Sequence, residues 1–235
     1  MTSSSFRFGK LELMLHKVHC LAYSTSELLQ DAGVVAAFVE EAFSNELVFK
    51  IEDAIVNGDG AGKPLGILNS EALVSVTGGS SAGTIVSTDV IQMWSRLWAG
   101  SQDRAEFVAN QDTLNQLLRM HTGTLGGDGS PLYLPMNAIS GRPYATLFAK
   151  PILFLEQCAT VGTAGDSILI DPSQYLEITK GRMQFSTSGH VQFKTDEMAF
   201  RGTYRIDGQP KWSAPLTPFK GSKTQSPCVC ISTRT

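Results

Sequence analysis

Glu52-Asp53-Ala54-Ile55-Val56-Asn57-Gly58-Asp59-Gly60, followed after three residues by Pro64-Leu65-Gly66-Ile67-Leu68, marks the end of one kind of structure and the start of another. Upstream of it, Val35, Val39, Ala42, Phe43, Leu47, Ile51, Ala54 and Ile55 recur at spacings of three and four, with Glu40, Glu41, Asn45, Lys50 and Glu52 on the other faces. That period belongs to an α-helix. No proline interrupts the stretch, so the pattern predicts one amphipathic helix of about 20 residues, roughly 30 Å long. Asn57-Gly58 predicts a left-handed stop, and Gly58 to Leu68 reads as a glycine-rich loop.

Working outward toward the N-terminus, Ser24-Thr25-Ser26-Glu27 fits a capping box opening a short first helix that breaks near Gly33. Phe6 to Ala22 alternates apolar and polar residues and predicts an extended strand. Its apolar parity changes near Gly9-Lys10 and between Leu15 and Val18, which predicts bulges or a twisting ribbon.

Toward the C-terminus the sequence predicts a short strand over Leu73–Val76. A helix capped by Ser87 follows and ends at Gly100, then a strand over Glu106–Ala109 and a third helix capped by Asn110. Beyond the flexible Gly123–Gly129 loop the pattern is mostly strand: Pro151–Leu155, Ser167–Ile170, Leu176–Thr179, Met183–Ser186, Val191–Lys194 and Met198–Arg205. The last of these read as consecutive antiparallel strands. Ser222–Thr235 is polar and broken by Pro227, and predicts a disordered tail. The fold class is α+β, with a mixed middle and a β-rich end.

Composition narrows the function. Charged residues make up 17% of the 235, against roughly 25% in ordinary soluble domains, which suits a surface largely covered by neighbours. Net charge is −3, and the 19 basic residues are dispersed along the chain, against the clustered cations of a general nucleic-acid binder. No apolar run approaches a membrane span. The four cysteines are too few and scattered for a disulfide scaffold, so the thiols read as reduced.

The motifs that could carry chemistry each fail a physical requirement. A phosphate loop at Gly62-Lys63 would need a glycine at Asn57 and a Ser or Thr at Pro64, and would follow a strand rather than a helix. Gly79-Ser80-Ser81-Ala82-Gly83 matches a nucleophile elbow, with Asp166 or Asp171 and then His190 in hydrolase order. The elbow needs an immediate strand–turn–helix, whereas the next helix waits until Ser87. A serine hydrolase using Ser81 therefore stands only as a remote alternative. His16 and His19 fall on opposite faces of a strand and cannot share a metal. Cys228 and Cys230 share a face without a nearby ligand, and Trp94 and Trp98 fit a core. The residues predict no catalytic group, cofactor or metal.

Taken in order, five stretches resemble the major capsid proteins of tailed bacteriophages and prophages with the Hong Kong 97 fold. Leu21–Asp31 resembles the approach to that family's spine helix, and Glu52–Gly60 with Pro64–Leu68 resembles the helix exit. Phe107-Val108-Ala109-Asn110 with Leu114 and Leu117 resembles an axial-domain strand and helix. Ser140-Gly141-Arg142-Pro143 resembles a turn, and Ala199–Gly208 the terminal segment. The similarity runs collinearly from Phe6 to Lys220.

The resemblance implies a flat α+β subunit. It places a remnant of the extended-loop ribbon at residues 1–22 and a peripheral domain at 23–75 with 172–208, its spine helix over about 34–57. An axial domain would cover 76–171 with 209–220, leaving 221–235 as the tail. It implies a structural subunit that self-assembles into pentamers and hexamers around packaged DNA, with scaffold, protease and portal proteins as partners and no sequence-specific DNA contact. Localisation would be the virion capsid, and the host bacterial cytoplasm during assembly. Candidate subunit contacts are Phe6, Phe8, Lys10, Asp59, Lys63, Arg201 and Arg205. An encapsulin-like nanocompartment shell is the alternative within the same fold. Relatives carry a further arm and ribbon strand ahead of the equivalent of Phe6, so the expectation is a truncated, degenerate or processed chain.

Overall fold

A computed structural model describes residues 9–25, 35–78, 83–122, 129–136 and 143–234. The long helix is present as α1, Val35–Asn57. It is not amphipathic along its whole length. Phe43, Leu47 and Val56 are buried, while Phe38, Val48 and Phe49 are exposed on other faces. A helix apolar on several sides is one that more than one partner covers.

The stop at Asn57-Gly58 works differently from the expected left-handed turn, since neither residue has a positive φ. Gly58 is required for space: a Cβ there would sit 2.1 Å from the Pro64 carbonyl oxygen and 2.4 Å from that of Ala54. The Gly58 N–H still closes on Ala54 O at 2.9 Å, and the Gly66 N–H then bonds back to Gly58 O at 2.8 Å. Gly66 is equally hemmed in, with a Cβ 2.4 Å from the Gly58 nitrogen. The loop is thus a closed staple between two glycines that lie against each other.

Two sheets flank this helix. The first contains β1 (His16–Thr25), β8 (Tyr175–Thr179), β9 (Gln184–Gln192) and β10 (Glu197–Pro210). Strands β1, β8 and β9 all run antiparallel to β10. Strand β1 begins later than the sequence suggests and continues through Thr25, so Ser24 and Thr25 belong to a strand and not to a helix cap. The rest of that expected first helix, residues 26–34, lies outside the described residues. Between His16 and Thr25 burial alternates without a break, so the expected bulge is absent there; the irregularity falls instead between Glu197 and Ala199 in the β9–β10 ladder. Residues 9–15 form no regular element and are tied down by Met14 N–H donating to Asp207 Oδ2 at 2.6 Å and Gln209 Nε2 donating to Glu12 O at 3.2 Å.

The second sheet is built from β2 (Val74–Val76), β3 (Glu106–Ala109), β4 (Tyr133–Leu134), β5 (Thr146–Leu147), β6 (Lys150–Phe154), β7 (Ser167–Ile170) and β11 (Cys228–Ile231), in the order β2-β11-β7-β3-β6-β5-β4. The expected disordered tail at 221–235 is therefore wrong. Strand β11 lies inside the sheet, parallel to β2 and antiparallel to β7, with all four residues buried. Its short apolar run is hidden between Pro227 and a Ser-Thr flank, and only distant pairing reveals it as a strand.

The two faces of this sheet carry separate cores. Val229 and Ile231 join Phe107, Leu169 and Leu147 beneath α2 (Ser87–Arg96) and α3 (Leu114–Leu118). Cys228 and Cys230 join Cys158, Ile168, Ile67 and Val56 on the other face, where the end of α1 docks. Helix α1 thus spans both sheets, since its middle packs on the first through Phe43, whose ring stacks on Phe185 at 6.4 Å.

Local capping departs in two places. Val86, not Ser87, is the N-cap of α2, and its N–H donates to Asp89 Oδ2 at 3.1 Å. The helix ends at Arg96, so Trp98 lies beyond it and packs on Trp212 at 5.1 Å, while Trp94 packs on Phe148 at 5.3 Å. Asn110 caps as expected, its side chain accepting from Asp112 N–H at 2.9 Å, although the cap opens a short 3-10 turn before α3.

Candidate assembly surfaces

The loop after α1 is the best-defined of the expected contact sites. Asp59 accepts the Ala61 N–H at 3.0 Å and faces Lys63 at 3.4 Å. That N–H, with help from the Lys63 ammonium, holds the Asp59 carboxyl below its usual value. Gly60 and Gly62 have φ of +76° and +75°, conformations only glycine adopts without cost. The loop is fastened to the first sheet by Leu65 N–H donating to Gly208 O at 2.8 Å and by the Tyr175 hydroxyl donating to Leu65 O at 3.1 Å. Gly208 lets this happen, since a Cβ there would lie 2.7 Å from the Tyr175 ring. Burial, then the charges of Asp207 and Glu177, push the Tyr175 phenol up, so it stays a donor. Lys63 is engaged with Asp59, unlike a phosphate loop's lysine.

The remaining expected contact residues are spread over separate regions. Lys10 pairs with Glu12 on the irregular N-terminal segment. Arg201 and Arg205 stand four apart on β10, both exposed on the face turned away from α1. Phe6 and Phe8 lie outside the described residues. The structure does not bring the five described ones, Lys10, Asp59, Lys63, Arg201 and Arg205, into one patch.

Sequence reasoning missed two features. The first is apolar exposure: Phe38 on α1 is 68% exposed and Phe193 beside the β9–β10 hairpin is 82% exposed. Single exposed hydrophobics are ordinary; two bulky aromatics this bare on regular elements or their edges are contact candidates. The second is a basic cleft of about 280 Å³ where β1, β10 and the turn after β8 meet. Only strand register could have predicted it, because Lys17 and Arg205 are distant in sequence and opposite in the ladder.

The residues considered for catalysis have structural occupations. Asp166 is ion-paired with Arg234 in the interior. Asp171 takes the Ser173 hydroxyl at 2.7 Å and Arg104 at 3.4 Å. Burial works to raise its carboxyl, but hydrogen bonds led by Ser173 outweigh it and hold it low. His190 is exposed on β9, and Ser81 and most of the Ser140–Pro143 turn lie outside the described residues. Among the described residues no group of His, Cys, Asp or Glu gathers as a metal site, and no helix is long and apolar enough to cross a membrane.

Comparison with known proteins fits this geometry. The phage capsid family matches residues 1–221. The capsid of the native GTA particle has the same fold, with a TM-score of 0.72 and 17% identity over 95% of this chain and 74% of that one. A structure from Mycobacterium phage Adephagia matches at a TM-score of 0.61 and 15% identity, covering 95% of this chain and 73% of its own. The holo-SrpI encapsulin complex from Synechococcus elongatus also matches, with a TM-score of 0.64 and 10% identity over 93% and 74%. No curated protein matches the sequence. A Hong Kong 97-type α+β fold and a family match across nearly the whole sequence converge: the chain belongs to the phage capsid family and is a structural capsid subunit.

Proposed function

We propose that this subunit self-associates into pentamers and hexamers that tile an icosahedral virion shell around packaged DNA, assembling in the host bacterial cytoplasm. The observation that supports this most directly is α1. Among the described residues only a strip of it is covered, leaving Phe38, Val48 and Phe49 exposed along a rigid element that joins both sheets. Neighbouring subunits would bury those side chains at a gain of about 25 cal/mol per Å² of apolar area. In this reading the first sheet and α1 form a peripheral domain, expected near 23–75 with 172–208 but taking in β1 from His16 and leaving β2 to the other sheet. The second sheet forms the axial domain, near 76–171 with 209–220 and the β11 segment. Lys10, Asp59, Lys63, Arg201 and Arg205 remain the proposed polar contacts, with Phe6 and Phe8. Scaffold, protease and portal proteins are the expected assembly partners, and the shell would have no catalytic activity of its own.

Light scattering and negative-stain microscopy of the purified chain test the proposal. Closed particles are the expected result, and a strict monomer at high concentration would overturn assembly competence. The likeness to an encapsulin supports a second reading, a protein nanocompartment. Particles that co-purify with a cargo protein and no DNA would favour it.

A further inference from the structure

Antiparallel pairing sets Lys17 of β1 directly opposite Arg205 of β10, on the sheet face turned away from α1. Like charges placed directly opposite in a ladder repel. The turn after β8 adds to the conflict, since the Lys180 N–H bonds to Arg205 O at 3.1 Å and so brings Lys180 and then Arg182 to the same spot. All four cations line one cleft of about 280 Å³ together with Gln184, Thr203 and Tyr204. No carboxylate lines it, and none of the four cations is ion-paired among the described residues. In a chain of net charge −3, four formal positive charges with no carboxylate among the cleft's lining residues form a local field of opposite sign to the whole; the nearest acidic side chain along β10, Asp207, is buried and accepts the Met14 N–H.

We propose that this cleft is a phosphate site, binding phosphate groups without regard to the rest of the molecule that carries them. Two guanidinium forks suit tetrahedral oxyanions through paired N–H donors, and the two lysines add point charge. A single carboxylate would leave most of the charge uncompensated, whereas a diphosphate or two adjacent phosphates of a nucleic-acid strand would match it. Phosphate contacts of this kind position a strand and carry no sequence information. The site stands on register and charge alone and does not depend on whether the chain assembles.

The test is thermal unfolding of the full chain with pyrophosphate, against sodium chloride at equal ionic strength. Pyrophosphate well above its dissociation constant is expected to raise the Tm by about 4 °C beyond the salt control. Lys17→Gln and Arg205→Gln should each remove more than half of that shift while leaving the anion-free Tm equal to or above the parent's, because each relieves the repulsion. Lys220→Gln, remote in sequence from the cleft residues, should keep the full shift. A short single-stranded oligodeoxynucleotide that displaces pyrophosphate identifies nucleic acid as the source of the phosphate; pyrophosphate binding without it identifies a free phosphate compound. No shift beyond the chloride control, or a shift that survives both cleft variants, overturns the site. So does normal pyrophosphate binding by cleft variants that fail only in assembly, which would point to carboxylates of a neighbouring subunit.

Discussion

The Asp166 carboxylate and the Arg234 guanidinium form an ion pair closed off from solvent, their side chains 0% and 2% exposed. The same carboxylate oxygen accepts the Gly162 N–H at 2.9 Å, and the Arg234 N–H returns a bond to Gly162 O at 2.9 Å. The pair pins the residues after β11 against the loop before β7. Removing one partner strands a buried charge, at a cost of about 3–5 kcal/mol. Arg234→Met should therefore lower the urea midpoint sharply, whereas Arg234→Met with Asp166→Leu should recover much of the loss. If the double variant is no better than the single, the charge itself is not what matters.

Strand β11 gives a second prediction. Ile231 is fully buried in the core beneath α2 and α3. Ile231→Ala should cost about 3 kcal/mol, measured by equilibrium unfolding. A loss below about 1 kcal/mol would be incompatible with a packed strand there.

The glycine staple gives a third. Gly58→Ala or Gly66→Ala drives a methyl group into backbone atoms less than 3 Å away, which no rotamer change can relieve. Each should destabilise by at least about 2 kcal/mol. Gly62→Ala is the contrast. Its φ of +75° imposes strain, but its Cβ would meet nothing within 4 Å, so the cost should be nearer about 1 kcal/mol.

The buried thiols predict a pH dependence. Burial, with the Asp166 charge adding to it, pushes Cys158 up to about 11; burial, with Asp171, pushes Cys228 up to about 12. A raised pKa in the folded state means that folding favours the protonated thiol. The stabilising contribution is complete below the ordinary value of 9.0 and is lost as pH climbs from there toward 12. Urea midpoints should fall across that alkaline window, and a Cys228→Ser variant should fall less steeply. In the native protein at about pH 8 a thiol reagent should reach half-buried Cys20 well before Cys158, Cys228 and Cys230.

A fifth prediction separates folding from assembly. Phe38→Ser removes an exposed apolar ring, so monomer stability should stay within about 0.5 kcal/mol. Particle yield by light scattering should nevertheless drop. Unchanged yield would remove this face of α1 from the set of contacts.

Legibility in the sequence followed the range of the interactions involved. The span of α1 and the strands β8 and β10 are local, and their periodicity announces them; β9 is one strand over Gln184–Gln192, where the pattern predicts two, at Met183–Ser186 and Val191–Lys194. The register of β1 on β10 is not local, so Lys17, Lys180, Arg182 and Arg205 look dispersed along the chain and gather only in three dimensions. Gly58 was legible as a glycine position but for the wrong reason, because close backbone approach leaves no trace distinct from a positive φ. For β11, four apolar residues in a polar setting carry too little pattern to outweigh their flanks. The contact residues fared worst, since a surface that another subunit covers obeys no periodicity of its own chain.

Strand β11 also has a consequence in time. It separates β2 from β7, so the seven-stranded sheet stays split, with two raw edges, until residues 228–231 have been synthesised and have left the ribosome. The first sheet needs nothing beyond Pro210 and can form sooner. A nascent subunit therefore holds one half ready while the other waits for β11. A protein whose completed surface is meant to polymerise gains from that order, because a partly made chain has no finished tile to offer a growing shell.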